Sequence, residues 1–228
     1  MMNAECNVNT LLDTIGQNAK TAEVVLRNLG SEKKNQALLH AADTLVAQSA
    51  FILAENAKDI ENAKANGMPE GLVDRLLLTE ERIEGMAVGL RQIAGLDDPI
   101  GEVLSMKKRP NGLMIGQKRV PLGVVGFIYE SRPNVTADAF GLCFKTGNAV
   151  ILKGGKEALY SNKAIVETLQ DALEQCGITE YAVQLISSTD RSVTQAFMKL
   201  NQYVDVLIPR GGAGLIKAVV NNSTIPVI

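Results

Sequence analysis

Histidine and cysteine are scarce in this chain. There is one histidine, His40, and there are three cysteines, Cys6, Cys143 and Cys176, in 228 residues. None stands in CxxC or HxxxH spacing, so no zinc-ligand pattern is present. Three thiols far apart in sequence make no disulfide framework and suit a reducing compartment. No apolar run reaches the roughly 18 residues that cross a bilayer. The N-terminus (Asn3, Glu5, Asn7, Asn9) is polar and lacks the basic and apolar regions of a secretory signal. The expectation is therefore no membrane and a cytoplasmic setting. An excess of one charge is also missing. Lys plus Arg is 23 and Asp plus Glu is 25, which leaves −2 with the histidine neutral. That balance argues against a general nucleic-acid binder. What is present, 46% hydrophobic and 21% charged residues, is the make-up of a globular protein long enough to bury a core.

Proline is absent before Pro69, and that first stretch reads as helices. Leu11, Ile15, Ala19 and Ala22 recur at helical spacing. Ser31, with Lys34 and Asn35, opens a second helix through Leu38, Leu39, Ala42 and Val46. A third spans about 50–65 and is stopped by Asn66-Gly67 and Pro69. Thr79 before Glu80, Glu81 and Arg82 is an N-cap with acids in the first turn. Its helix turns Ile83, Met86, Ala87, Leu90 and Ile93 inward and ends near Gly95. Two β-prone runs then flank Arg109-Pro110-Asn111-Gly112. Asn-Gly tolerates positive φ at both turn positions, a hairpin signal over 103–120. Lys107, Lys108, Arg109, Lys118 and Arg119 are either a localisation or nucleic-acid patch or the solvated surface of that hairpin.

From Pro121 short apolar runs alternate with amphipathic segments. The runs are 122–129, 149–152, 182–186, 204–208 and 225–228. Helices are expected near 135–146, 157–176, 190–201 and 212–222. Unbroken apolar strands separated by helices predict an α/β fold, a Rossmann-like parallel sheet with helices on both faces. Ligands of such sheets bind beyond the carboxyl ends of the strands.

Three strand ends carry the chemistry. Glu130-Ser131-Arg132-Pro133-Asn134 follows the first strand. Asn134 either donates its amide to a developing oxyanion or caps the helix that follows. Ser131 and Arg132 are candidate substrate contacts. The second strand ends in Lys153-Gly154-Gly155-Lys156. Where an acid would favour NAD, Lys153 offers a cation suited to a 2′-phosphate and so points to NADP; the bland alternative is a surface lysine. The G-x-x-x-x-G-K-[ST] spacing of a P-loop is absent. Gly211, Gly212 and Gly214 follow the fourth strand and open a helix. They either let free N–H groups approach phosphate or form a plain tight turn. Cys143, in Phe140-Gly141-Leu142-Cys143-Phe144, is either a nucleophile or a packed core thiol. Cys6 falls in a fraying terminus, Cys176 closes a helix before Gly177, and His40 lacks the companion Ser or Cys of a triad.

Val120-Pro121-Leu122-Gly123-Val124-Val125-Gly126 followed by Glu130-Ser131-Arg132-Pro133-Asn134-Val135-Thr136 resembles the gamma-glutamyl phosphate reductase family (glutamate-5-semialdehyde dehydrogenase) of the aldehyde dehydrogenase superfamily. So do Lys145 to Ala149, Lys153 to Ala158, Ile208 to Ile216 and Ser223 to Ile228, and the likeness runs along the whole chain. The resemblance implies NADPH-dependent reduction of L-glutamyl 5-phosphate to glutamate 5-semialdehyde and phosphate, in proline biosynthesis. A cysteine thiolate would displace phosphate, and hydride would reduce the thioester. Lys153 would meet the adenosine ribose phosphate; Gly211, Gly212 and Gly214 would lie under the pyrophosphate; Asn134 would be the oxyanion donor. Residues 1–100 would be the helical part of the cofactor-binding domain, 101–120 an oligomerisation hairpin and 121–228 the NADP-binding part. Glutamate 5-kinase is the implied partner enzyme, and a homo-oligomer the implied assembly. In the family the nucleophilic cysteine follows the strand matching 224–228, and none of the three cysteines here holds that position. The resemblance thus implies a chain inactive alone, with its catalytic domain beyond Ile228. The other reading is a non-catalytic NADP-binding or interaction module.

Overall fold

The computed structural model describes residues 2–228, with side chains from Val8 onward. The expectation for Cys6 lies outside the described side chains. The helical stretch contains α1 (Met2–Leu26), α2 (Ser31–Ala47), α3 (Ser49–Ala65), α4 (Glu70–Leu76) and α5 (Glu80–Gly95). The buried stripe of α1 runs through Leu12, Ala19, Ala22 and Leu26, whereas Leu11 is 40% exposed, so the expected stripe is off by one residue at its start. Thr79 caps α5 as expected, its hydroxyl accepting the Arg82 N–H at 3.2 Å. Helix α4 was not anticipated; it starts directly behind Pro69, whose fixed φ suits a helix entry.

The hairpin is β1 (Val103–Lys108) and β2 (Met114–Lys118), antiparallel. Its turn differs from the expected one. Gly112 has φ +88, while Asn111 does not have positive φ. Gly112 N–H donates to Arg109 O at 2.9 Å and Arg109 N–H to Leu113 O at 2.8 Å. Pro110 favours a type I turn, and the glycine behind it takes the left-handed position of a three-residue loop. The ribbon stands clear of the body. Val103, Met106, Met114 and Ile115 are exposed, as are the five basic residues of its surface.

The main sheet contains β3 (Val124–Tyr129), β4 (Ala149–Lys153), β5 (Val183–Leu185) and β6 (Val206–Arg210), all parallel, in the order β5-β4-β3-β6. Every residue of β3 and β4 is buried, as expected for strands covered on both faces. Helices α6 (Asn134–Lys145) and α7 (Leu159–Gln175) lie against the strands, with α2, α3 and α5 packed on them; α1 also packs on β3, β4 and β5, and α8 (Arg191–Phe197) packs on α1. One apolar core runs from α1 through the sheet to α5. Helix α9 (Ala213–Asn222) follows β6.

The run 225–228 is not a strand. It makes one isolated parallel bridge, Leu207 with Val227. Leu207 N–H donates to Pro226 O at 2.8 Å and Ile228 N–H to Leu207 O at 3.0 Å. Pro226 has no N–H to extend the ladder. Among the described residues no single helix is long and apolar enough to cross a membrane.

Candidate functional site

The chain leaves β3 and β6 side by side, while β4 and β5 lie on the other side of β3. The carboxyl ends of β3 and β6 therefore flank the point where strand order reverses, the usual ligand position in such sheets. Two clefts open there. One, of about 480 Å³, is lined by Arg75, Glu130, Ser131, Arg132, Arg210 and Gly212 among others. The other, of about 550 Å³, shares Arg75 and Arg132 and reaches Asn134 and Asp138.

Asn134 is the first residue of α6, and Pro133 stands at the cap position with no side-chain capping bond. The capping role for Asn134 is thus wrong: the helix starts one residue earlier than expected. Its Nδ2 instead donates to Asp138 Oδ2, one turn on, at 3.2 Å. Burial pushes the Asp138 carboxyl above its ordinary range, against the hydrogen bond from Asn134 and the nearby Arg210 charge. One amide N–H is spent on that carboxylate, and the other makes no hydrogen bond among the described residues.

Lys153 is the last residue of β4 and is only 8% exposed, so it is not the surface lysine of the bland reading. Its ammonium donates to Gly154 O at 3.2 Å. Burial lowers its pKa, and the Glu157 charge partly offsets that. The turn beside it is held from below. A Cβ at Gly154 would lie 2.3 Å from Asn162 Nδ2 and 3.2 Å from the Tyr129 ring. Those two side chains belong to a buried relay: Tyr129 Oη and Thr136 Oγ1 are 2.7 Å apart, and Thr136 donates to Asn162 Oδ1 at 3.0 Å. Asp59, reaching from α3, accepts the Ser161 N–H at 2.8 Å and the Ser161 hydroxyl at 2.6 Å, and so supplies the cap that α7 lacks. Ser131 is drawn to the same turn, where its hydroxyl donates to Glu157.

The turn after β6 is filled differently. Gly212 is the N-cap of α9, and Gly214 lies inside the helix. Gly212 N–H donates to Glu130 Oε2 at 3.0 Å. A Cβ at Gly211 would lie 2.6 Å from the Glu130 carboxyl carbon. A carboxylate from the chain itself thus sits on the helix N-terminus, where backbone N–H groups and the helix dipole favour an anion.

The remaining candidates lie elsewhere. Burial alone pushes the Cys143 thiol up to about 12. It is a packed core thiol, since a nucleophile needs the thiolate. Cys176 ends α7. His40 Nε2 is 2.9 Å from Gln175 Oε1, which ties α2 to α7. No group of three or more His, Cys, Asp or Glu that could hold a metal occurs among the described residues. The sequence reading missed Arg75, Glu130, Asp138 and Arg210 as members of the site. Arg75 arrives on the unanticipated α4, whereas Glu130 and Arg210 were in view at two strand ends and needed only the strand order to be joined.

No protein-family model matches the chain. By sequence it is 56% identical over 213 residues to the gamma-glutamyl phosphate reductase of Clostridium botulinum, covering 93% of this chain and 51% of that protein. The crystal structure of gamma-glutamyl phosphate reductase from Thermotoga maritima superposes with a TM-score of 0.93 at 43% identity, over 95% of this chain and 52% of that one. A probable aldehyde dehydrogenase from Listeria monocytogenes gives 0.77 at 17% identity, over 98% of this chain and 46% of that one, a likeness of fold alone. The chain spans about half the length of the curated relatives it matches, and the match is to their N-terminal part.

Proposed function

We propose that this chain, a relative of the gamma-glutamyl phosphate reductases by sequence, is the NADP-binding part of an enzyme that reduces L-glutamyl 5-phosphate to L-glutamate 5-semialdehyde and phosphate in proline biosynthesis. The observation that carries the reading is Lys153: a buried ammonium at a strand's carboxyl end whose one hydrogen-bond acceptor is a backbone carbonyl. A buried cation short of partners is costly, and a 2′-phosphate is a dianion that would satisfy it. The bound coenzyme supplies the hydride. The chain's own groups bind and orient. Lys153 holds the 2′-phosphate, and the turn of Gly211, Gly212 and Gly214 carries the pyrophosphate once Glu130 has left the Gly212 N–H. Asn134, steadied by Asp138, offers its second amide N–H to charge developing on the acyl oxygen. Neither Cys143 nor Cys176 supplies the acyl-transfer thiol, for Cys143 is held protonated in the core and Cys176 stands at the far end of α7.

On this reading residues 121–228 are the cofactor-binding part, 1–100 its helical complement and 101–120 the subunit contact. The exposed apolar ribbon of β1 and β2 supports the last, since such edges are normally covered. The assembly is a homo-oligomer, the setting the cytoplasm, and glutamate 5-kinase the source of the acyl phosphate. The test is a fluorescence titration of the chain with NADPH and with NADH, using 2′,5′-ADP as competitor. NADPH binds more tightly and 2′,5′-ADP displaces it. Equal affinities for the two coenzymes overturn the reading.

A further inference from the structure

Arginines elsewhere on this chain are mostly paired. Arg82 meets Asp74, Arg91 meets Asp43 and Glu84, and Arg119 meets Glu102. Three that line the cleft at the strand-order reversal are not. Arg75 from α4, Arg132 from the loop after β3 and Arg210 from the end of β6 all face it, and none of their guanidinium groups makes a hydrogen bond or ion pair among the described residues, although Arg210 lies close enough to Asp138 for its charge to act on that carboxyl. Three separate elements bring three cations without ion-pair partners to one cavity in a chain whose net charge is −2.

The nearby carboxylates form no ion pair with them among the described residues. Asp74 pairs with Arg82, Glu130 accepts the Gly212 N–H and keeps its charge, and Asp138 accepts from Asn134 while the Arg210 charge acts on it. Arg75 is also firmly placed. The next residue, Leu76, is fully buried, and the buried Asn56 brackets the segment, donating to Leu76 O at 2.9 Å and accepting the Leu78 N–H at 2.8 Å. Arg75 and Arg132 line both clefts, so they stand between the glycine turn of one and Asn134 of the other. A planar guanidinium grips phosphoryl oxygens with two parallel N–H bonds.

We propose that Arg75, Arg132 and Arg210 form a phosphoryl-binding site, separate from the turn that takes the coenzyme diphosphate, for the acyl-phosphate end of the substrate and for the phosphate it releases. The assignment rests on the reductase reading. It puts the phosphoryl group on the arginines and the adjoining acyl carbon toward Asn134. The same arginines suit a nucleotide diphosphate, so the experiment separates the two sources.

Inorganic phosphate is titrated into the chain by calorimetry, with and without saturating NADP. Phosphate binds in both conditions. Arg75→Gln and Arg132→Gln each weaken it by about tenfold and leave NADPH affinity within about twofold. Arg191→Gln, a substitution at the start of α8 outside the clefts, leaves phosphate binding unchanged. Melting temperature and far-UV circular dichroism confirm that each variant folds. Displacement of phosphate by NADP assigns the arginines to the coenzyme and overturns the proposal. So does the absence of phosphate binding, or unchanged binding in both folded variants. Failure of the reductase reading shows separately, as an absent NADPH preference in the unmodified chain.

Discussion

Two glycine turns follow parallel strands in this protein, and they would meet an anion on different terms. After β4 the turn is fixed from below by Tyr129, Thr136 and Asn162, and it presents Lys153, a buried cation with one backbone acceptor. After β6 the turn is exposed, opens a helix, and already holds the Glu130 carboxylate on Gly212 N–H. Both read alike in sequence, as glycines behind an apolar run. A glycine turn gives an anion room to approach; the side chains around it decide whether the place is open. The first turn offers a ready charge. The second offers backbone donors that a ligand obtains only by displacing a resident carboxylate.

The sharpest break of that comparison is Lys153→Ala. NADPH binding should fall by about 10- to 100-fold, the size of one lost hydrogen bond to a charged group, while NADH binding stays put. Loss of both affinities together would move Lys153 from coenzyme selection to folding. Proton titration reaches the same bond without mutation. Burial lowers the Lys153 pKa, with Glu157 pulling the other way. The ammonium is therefore present at low pH and lost as pH rises through a value below that of an ordinary lysine. The preference for NADPH over NADH should fade over that rise, and binding should take up protons within it, because a dianion stabilises the charged form. A preference constant up to the pH of ordinary lysine titration would contradict this.

Gly154→Ala probes the rigidity of the first turn. The new methyl would meet Asn162 Nδ2 at 2.3 Å and the Tyr129 ring at 3.2 Å, and Thr136 ties down both side chains through Asn162 Oδ1 and Tyr129 Oη. The expected cost is about 1 to 2 kcal/mol of stability, typical of overpacking, read from the urea midpoint. Gly212→Ala is the matched change at the second turn, where the nearest atoms are the Glu130 carboxylate oxygens at 3.8 Å, and it should be milder. Equal costs would mean that the two turns are equally constrained.

How much of this was legible beforehand varied with the kind of signal. The parallel sheet was plain, because strands buried on both faces, such as Val124 to Tyr129, stay apolar without alternation. The α5 cap at Thr79 was plain for a local reason: donor and acceptor are three residues apart. The Asn134 cap failed because Pro133 takes the helix entry, moving the asparagine inside by one place. The expected strand at 225–228 failed because hydropathy does not count hydrogen bonds, and Pro226 cannot give one. Least legible were the groups that need the fold to meet. Asp59 capping α7 from α3 spans 102 residues, and Asn56 bracketing the segment behind Arg75 leaves no local pattern. Buried Lys34 is the same case: the sequence places it only in the opening turn of a helix, yet it is buried and pairs with Asp98, whose hydrogen bonds from Lys34, Ile100 and Ser31 outweigh burial and lower its pKa.

The gentlest test concerns Gly214, inside α9, where an added Cβ meets nothing within 4 Å. Its φ is not in the left-handed region, so the fold itself does not call for glycine there. Alanine costs less backbone entropy in a helix, and Gly214→Ala should stabilise the chain by about 0.5 kcal/mol. If a phosphate of the coenzyme approaches this first turn closely, the methyl obstructs it, and NADPH affinity should fall by about threefold even as the melting temperature rises. Opposite movement of stability and affinity marks the second turn as a site that opens on binding. A rise in stability with unchanged affinity removes Gly214 from the proposed coenzyme contacts and leaves the first turn, with Lys153, as the remaining candidate.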